Sequence, residues 1–254
     1  MVLSFRCPKS KSDVLRGILI ASCVALFTGC TAAADTIVGA RYTDPTDRYA
    51  HGVLGDAIEY AGLEIELANG RTERFVLDQN VFEDLDPRLT DLNGDGGPEV
   101  ITVEASPEEG ARLSIWGLRG GQVQPLAATP YIGRAFRWLA PIGAADLDGD
   151  GAVEIAYIDR PHLARTLRIW RYQETGGTIR LTQIASLDGL TNHRIGEDFI
   201  TSGIRECGEG PELLMADGAW QRIMAISWSG SGWDQKSLGP FTGPASMDRA
   251  VACQ

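Results

Sequence analysis

The sequence predicts an all-β protein, a small β-propeller of four to five blades built from repeats of about 55 residues. Three observations carry this reading. Hairpin-like segments recur at a near-constant interval, a glutamate followed by an apolar strand recurs at nearly the same interval, and helical periodicity of any length is missing.

The hairpins come first. LEIELANGRTERFVL from Leu63, LSIWGLRGGQVQPLA from Leu113, LRIWRYQETGGTIRL from Leu167 and IMAISWSGSGWDQKSL from Ile223 start 50, 54 and 56 residues apart. Each reads as an alternating strand, a Gly-containing turn and a second strand. Ahead of three of them, PEVITVE, VEIAYID and PELLMAD place Glu99, Glu154 and Glu212 before apolar runs, 55 and 58 residues apart. Every unit therefore offers at least three short strands. One such unit cannot bury both of its faces, whereas several stacked together can. The N-terminal stretch DTIVGARYTD has strand-like residues and no hairpin of its own, so it is expected to complete the last blade and close the ring.

Residues 1–34 read as a signal peptide. Arg6, Lys9, Lys11 and Arg16 precede the apolar run GILIASCVALFT, which is too short to span a bilayer. Two cleavage readings stay open: LFTGC resembles a lipobox with Cys30 as the lipidated residue, and Ala32 with Ala34 forms an A-x-A site. Residues 35–254 form the expected propeller domain, exported to the periplasm or carried as an outer-membrane lipoprotein, with a lipid anchor as its one membrane contact.

The first 34 residues hold four of the 23 basic and one of the 34 acidic residues, which leaves the rest at a net charge of −14. That balance argues against nucleic acid as a partner and suits an exported protein that holds cations. Of five cysteines, Cys207 and Cys253 survive in the mature chain and are expected to pair in an oxidising compartment. In the chain-entropy model such a bridge contributes about 4 kcal/mol.

The most informative stretches are DLNGDGGPEVITVE from Asp91 and DLDGDGAVEIAYID from Asp146. Hard cations such as Ca²⁺ take six to eight oxygen ligands, and side chains at alternate loop positions aim several carboxylates at one point. The second loop offers Asp146, Asp148, Asp150, the Ala152 carbonyl and Glu154. The first offers Asp91, Asn93, Asp95, the Gly97 carbonyl and Glu99. About two Ca²⁺ ions are expected. An EF-hand needs a bidentate glutamate at position twelve, where Thr102 and Tyr157 stand, and the flanks alternate like strands rather than helices. Aligning Glu212 with Glu154 places Ile204, Glu206 and Gly208 at the ligand positions of the third copy, which is not expected to hold calcium.

IGAADLDGDGAVEIAYID and LTDLNGDGGPEVITVE resemble FG-GAP or VCBS repeats, the units of integrin-alpha-like propellers. The resemblance covers roughly residues 60 to 230 and implies a blade with a Ca²⁺ loop between strands, at the two ligand sets just named. It departs from the family in the ninth-position glutamate, where aspartate is usual, and in having residues for only four or five blades.

For catalysis, the histidines are the natural candidates. His162 and His193 fall in loops of neighbouring units, near Arg160, Arg165, Asn192, Arg194, Glu197 and Asp198. Gly-x-Ser-x-Gly and H-E-x-x-H motifs are absent, so hydrolase and zinc-enzyme templates lack their parts. The sequence therefore points to an exported calcium-binding module that docks a protein or glycan, with this loop rim as a binding surface. The alternative is an exported hydrolase-like enzyme using His162 and His193.

Overall fold

The computed structural model describes residues 35–254, so the expected signal segment and Cys30 lie outside the described residues. Seventeen strands and one helix follow in order. The first unit holds β1 (Ile37–Thr46), β2 (Glu59–Leu67) and β3 (Thr72–Val76); the second holds β4 (Val81–Phe82), β5 (Arg88–Thr90), β6 (Glu99–Ser106), β7 (Gly110–Arg119) and β8 (Gln122–Ala128). The third holds β9 (Leu139–Ala145), β10 (Glu154–Asp159), β11 (Thr166–Thr175) and β12 (Thr178–Asp188). The fourth holds β13 (Leu190–Thr191), β14 (Gly203–Glu206), β15 (Pro211–Asp217), β16 (Arg222–Trp228) and β17 (Trp233–Pro240), and α1 (Pro244–Val251) ends the chain.

All four expected hairpins form, as β2–β3, β7–β8, β11–β12 and β16–β17. Two of them turn on Gly–Gly pairs. Gly120 and Gly121 have φ of +60° and +79°, and Gly176 and Gly177 have +58° and +79°, the left-handed pair that a two-residue turn between right-twisted strands requires. Three hairpins also carry a bulge, after Ile115 and Ile169 at matching positions and after Ile223 two residues earlier in its strand. Such a bulge sharpens the local twist of the outer strand.

The strands assemble into three antiparallel sheets. The third and fourth units each make one, in the orders β12-β11-β10-β9 and β13-β15-β16-β17 with β14 on β15. The first two units share a sheet, β1-β2-β4-β6-β7-β8, because short β4 pairs with both β2 and β6.

Both faces of the central strands are apolar, with period two sorting residues between neighbouring cores. Ile155 and Tyr157 of β10 face the second unit's Ile101 and Leu113, while Ala156 and Ile158 face the fourth unit's Leu213 and Met215. Leu213 and Met215 of β15 thus pack inward, and Leu214 between them packs on Met247 and Ala250 of α1. A separate core joins Leu63 and Ile65 of β2 to Val100 and Trp116 of the second unit.

Two expectations need correction. The N-terminal strand does not complete the last blade: β1 pairs with β2, Tyr42 opposite Leu63, because its Ile37 and Tyr42 belong to the first unit's core. No closed propeller ring is formed by strand pairing among the described residues. The outer face of the fourth sheet is covered by α1, a helix that the sequence reading missed; its signature is Pro244 in the first turn directly after Gly243. The first and fourth units meet instead through loops, where the Gly196 amide donates to the Val53 carbonyl at 3.0 Å. Among the described residues no helix is long and apolar enough to cross a membrane.

The expected Cys207–Cys253 disulfide is present, joining the segment after β14 to the residues that follow α1 across 46 positions.

Candidate metal centre and loop-face cavity

The two Asp-rich segments link β5 to β6 and β9 to β10, and their main backbone-to-carboxylate bonds match. Asp91 accepts from the amides of Gly94 and Gly96 at 2.8 and 2.9 Å, and Asp146 accepts from Gly149 and Gly151 at the same distances. Asp95 accepts from Gly97 at 2.8 Å, and Asp150 from Ala152 at 2.9 Å. Glu99 reaches back to the Leu92 amide at 3.0 Å, and Glu154 to the Leu147 amide at 2.9 Å. Leu92 and Leu147 are buried, so each loop is pinned by an apolar side chain at its second position. The glycines at the fourth and sixth positions take φ near +75° and +89° in both copies, a conformation that other residues resist.

In the second loop the result is a cluster of carboxylate oxygens. Asp146, Asp148 and Glu154 each offer a carboxylate oxygen within 4.8 Å of the others, an acidic triad that could bind a metal ion. Burial raises the pKa of both Glu99 and Glu154, and the leucine amides and nearby cations oppose that rise. A buried carboxylate cluster of this kind is stabilised by any positive charge placed among its oxygens.

What stands among the oxygens differs between the loops. In the second, the Arg171 guanidinium reaches Glu154 at 2.7 Å and Asp150 at 2.8 Å and also pairs with Asp148. In the first, the Asn93 amide nitrogen lies 3.2 Å from both Asp95 and Glu99, while Arg119 approaches Glu99 only to 3.9 Å. The sequence reading named the loop residues but missed Arg171, because it sits on β11 and reaches the loop only through the pairing of Glu154 with Arg171.

The third copy is built differently. Glu206 accepts from the amides of Gly208 and Gly210 in a shorter turn, Glu212 is paired with Arg205 at 2.6 Å, and Cys207 is tied to Cys253.

Residues 91–157, beginning at the first loop's leading aspartate and passing through the second loop into β10, match the FG-GAP-like repeat. The chain carries an FG-GAP-like repeat. No curated protein matches the chain. The FG-GAP-like repeat and the stacked antiparallel sheets suggest a β-propeller-like protein-interaction module.

Next to the FG-GAP repeat, on its loop face, the histidines converge as the sequence suggested. His162 Nε2 lies 3.0 Å from His193 Nδ1, and His193 Nε2 lies 2.8 Å from the Glu197 carbonyl. A carbonyl only accepts, so His193 carries its proton on Nε2 and His162 donates to its Nδ1. Burial lowers both pKa values, that of His162 to about 4 with the neighbouring His193 and His51 as further causes. The pair is therefore neutral at pH 7.

Not all of the expected rim is surface. Asn192 and His193 are buried, and Asn192 Nδ2 bonds the Ala140 carbonyl and Ser202, so these two hold the loop rather than face a partner. Arg194 lies over the Trp220 ring at 4.1 Å, Glu197 sits 3.7 Å from Arg194, and Asp198 is exposed. Arg160 pairs with buried Asp159 at 2.7 Å. Sequence reasoning missed His51, in the β1–β2 loop, which stands at the same place with its Nδ1 on fully buried Glu83, and Trp138, which packs edge-on to His193 at 4.9 Å.

Proposed function

We propose that this chain is an exported, calcium-binding β-propeller-type module that docks a protein or glycan at the cell envelope. The observation that carries the calcium assignment is the duplicated loop. Two segments share the same aspartate-to-glycine hydrogen bonds, left-handed glycines and buried leucine, and in the second of them carboxylate oxygens of Asp146, Asp148 and Glu154 lie within 4.8 Å of one another. The donor set fits a hard divalent ion, since it is all oxygen and rich in carboxylate, and a carbonyl at Gly97 or Ala152 adds a neutral ligand. Asp91, Asn93, Asp95 and Glu99 would hold one ion, and Asp146, Asp148, Asp150 and Glu154 the other. Such an ion neutralises the carboxylates and braces each strand-to-strand connection. The Cys207–Cys253 bridge supports an oxidising destination.

Titration calorimetry with Ca²⁺ on the purified protein tests this reading. Two ions are expected, with one lost in Asn93→Ala and the other in Asp148→Ala, and chelation should lower the melting temperature. Zero stoichiometry would remove calcium from the account.

A further inference from the structure

A cavity of about 250 Å³ opens on the loop face beside the histidine pair. Its walls come from the first, third and fourth units and from the link between the second and third: His51 and Val53 from the β1–β2 loop, Trp138 from the approach to β9, His162 from the β10–β11 loop and Ile195 from the β13–β14 loop. Loops that converge from separate rigid sheets are the ordinary setting of a binding site.

The polar lining is of one kind. Arg137, Arg160, His51 and His162 reach the cavity, and no carboxylate or hydroxyl side chain does. The acids that balance these groups stand behind them and are buried: Glu83 behind His51, and Asp159 shared between Arg160 and Arg168. Arg137 has no carboxylate partner among the described residues; its guanidinium bonds the Phe136 carbonyl at 2.6 Å. With His162 neutral at pH 7 and Arg160 and His51 paired, Arg137 is the unbalanced positive charge of this cavity in a chain whose overall charge is −11.

The rest of the lining is apolar and partly uncovered. Phe136 is 47% exposed, Leu163 64% and Ile195 73%, three of the large apolar side chains left in solvent, and all three border this one opening. The backbone is held in unusual form here too. Phe136 and Arg160 take φ of +53° and +49°, fixed by the bonds Phe136 N to Tyr49 Oη at 2.7 Å and Arg160 N to Trp138 O at 2.9 Å. Left-handed non-glycine residues are strained and gather at ligand clamps.

We propose that this cavity binds a carboxylate carried on a single aromatic ring, with Arg137 and Arg160 on the acid and Trp138, Phe136 and Leu163 around the ring. The volume lies at or below the roughly 300 Å³ floor of drug-sized sites, which suits one ring and one acid group. Arginine pairs with a planar carboxylate through two parallel donors and stacks on aromatic faces, so both halves of the ligand meet matched groups. The same chemistry comes from a free arylalkanoic acid or from the C-terminal phenylalanine of a polypeptide.

Calorimetry on the full disulfide-bonded protein with phenylacetate, phenylacetamide, and a tetraglycyl-phenylalanine peptide as free acid and as amide tests the assignment. We expect saturable binding of the acids, at least about tenfold weaker binding of the amides, and a similar loss in Arg137→Gln with the melting temperature unchanged. Tighter binding of the peptide acid than of phenylacetate identifies a polypeptide terminus, and the reverse order a free acid; either order sustains the proposal. Leu163→Ala, an exposed position, should weaken both acids without unfolding the protein. Absence of saturable binding by the acids, equal affinity for acids and amides, or an Arg137→Gln variant that binds like the parent would each overturn it. Because neither Asp-rich loop lines the cavity, calcium stoichiometry in the same samples separates failure here from failure of the calcium assignment.

Discussion

Gly117 and Arg171 occupy the same place in two copies of one loop, each across the strand pair from the glutamate that closes it. Glu154 pairs directly with Arg171, and Glu99 lies one step beyond the Val100–Trp116 pair, opposite Gly117. At Gly117 a Cβ would come within 3.1 Å of Glu99 Cγ and 2.5 Å of Leu126 Cδ1, so the glutamate folds over the bare backbone. At Arg171 a guanidinium enters the oxygen cluster instead.

The two loops should therefore differ in affinity for calcium, with the second weakened by its own arginine. Arg171→Gln is expected to raise that loop's affinity by roughly fivefold, about the 1 kcal/mol that one partly solvated charge contributes at this range. It should also lower the melting temperature measured in chelator. Calorimetry on the Asn93→Ala background isolates the affected site, and an unchanged second-site affinity would show that Arg171 does not compete.

Gly117→Ala should destabilise the first loop, since Leu126 and Glu99 must both move to admit the methyl group. A loss of about 1–3 kcal/mol in urea unfolding is expected, together with weaker calcium binding at that loop alone. Unaltered unfolding would mean that the neighbours yield freely.

Acid should loosen the loop face. His162 titrates at about 4 in the fold, below its ordinary value of 6.5, because burial and the neighbouring histidines oppose its charge. Between these values the unfolded chain binds more protons than the native one, so stability is full above about pH 6.5 and falls as pH drops towards 4. The slope from this one group is at most about 1.4 kcal/mol per pH unit. His162→Gln should flatten the stability profile in that window, read from urea midpoints at pH 5 and 7.

Glu59 predicts the opposite trend. It is buried at the start of β2, and burial, followed by the charges of Glu83, Asp56 and Asp84, raises its pKa from 4.5 to about 9. The unfolded chain loses this proton first, so stability falls as pH rises from about 4.5 to 9. Glu59→Gln keeps the shape without the acid and should add about 1–3 kcal/mol at pH 8 and almost nothing at pH 4. Thermal melts at the two pH values decide it.

Reduction of Cys207–Cys253 should cost about 2–4 kcal/mol and free α1 from β15 first, because the bridge joins the residues flanking that contact. Hydrogen exchange should show early loss of protection at Met247 and Ala250, and a helix that stays protected after reduction would contradict this order.

The hairpins, the duplicated loops and the disulfide were legible because each is written in neighbouring residues. DLNGDG and DLDGDG contain their own turn glycines, acidic side chains and anchor leucine, and the LSIW and LRIW strands announce their alternation. What could not be read depends on positions far apart in the chain. Arg171 faces its loop only through strand register, β4 merges two units through two residues, and α1 covers a face that a closing blade was expected to fill. His51 joins His162 and Trp138 because the β1–β2 loop crosses to the fourth unit, and nothing in HGVLGDA foretells that crossing.

The Gly196 to Val53 hydrogen bond has a consequence for timing. It joins a loop made early in synthesis to one made late, and the cavity beneath it takes its walls from both. A growing chain can raise its hairpins one after another as each emerges, since every unit packs mainly on its neighbour, but the cavity cannot exist until the fourth unit has arrived and the early loop has found it. Occupancy of that cavity would thus be a property of finished molecules alone, and anything bound there would hold complete chains against partial opening while giving truncated ones no such protection.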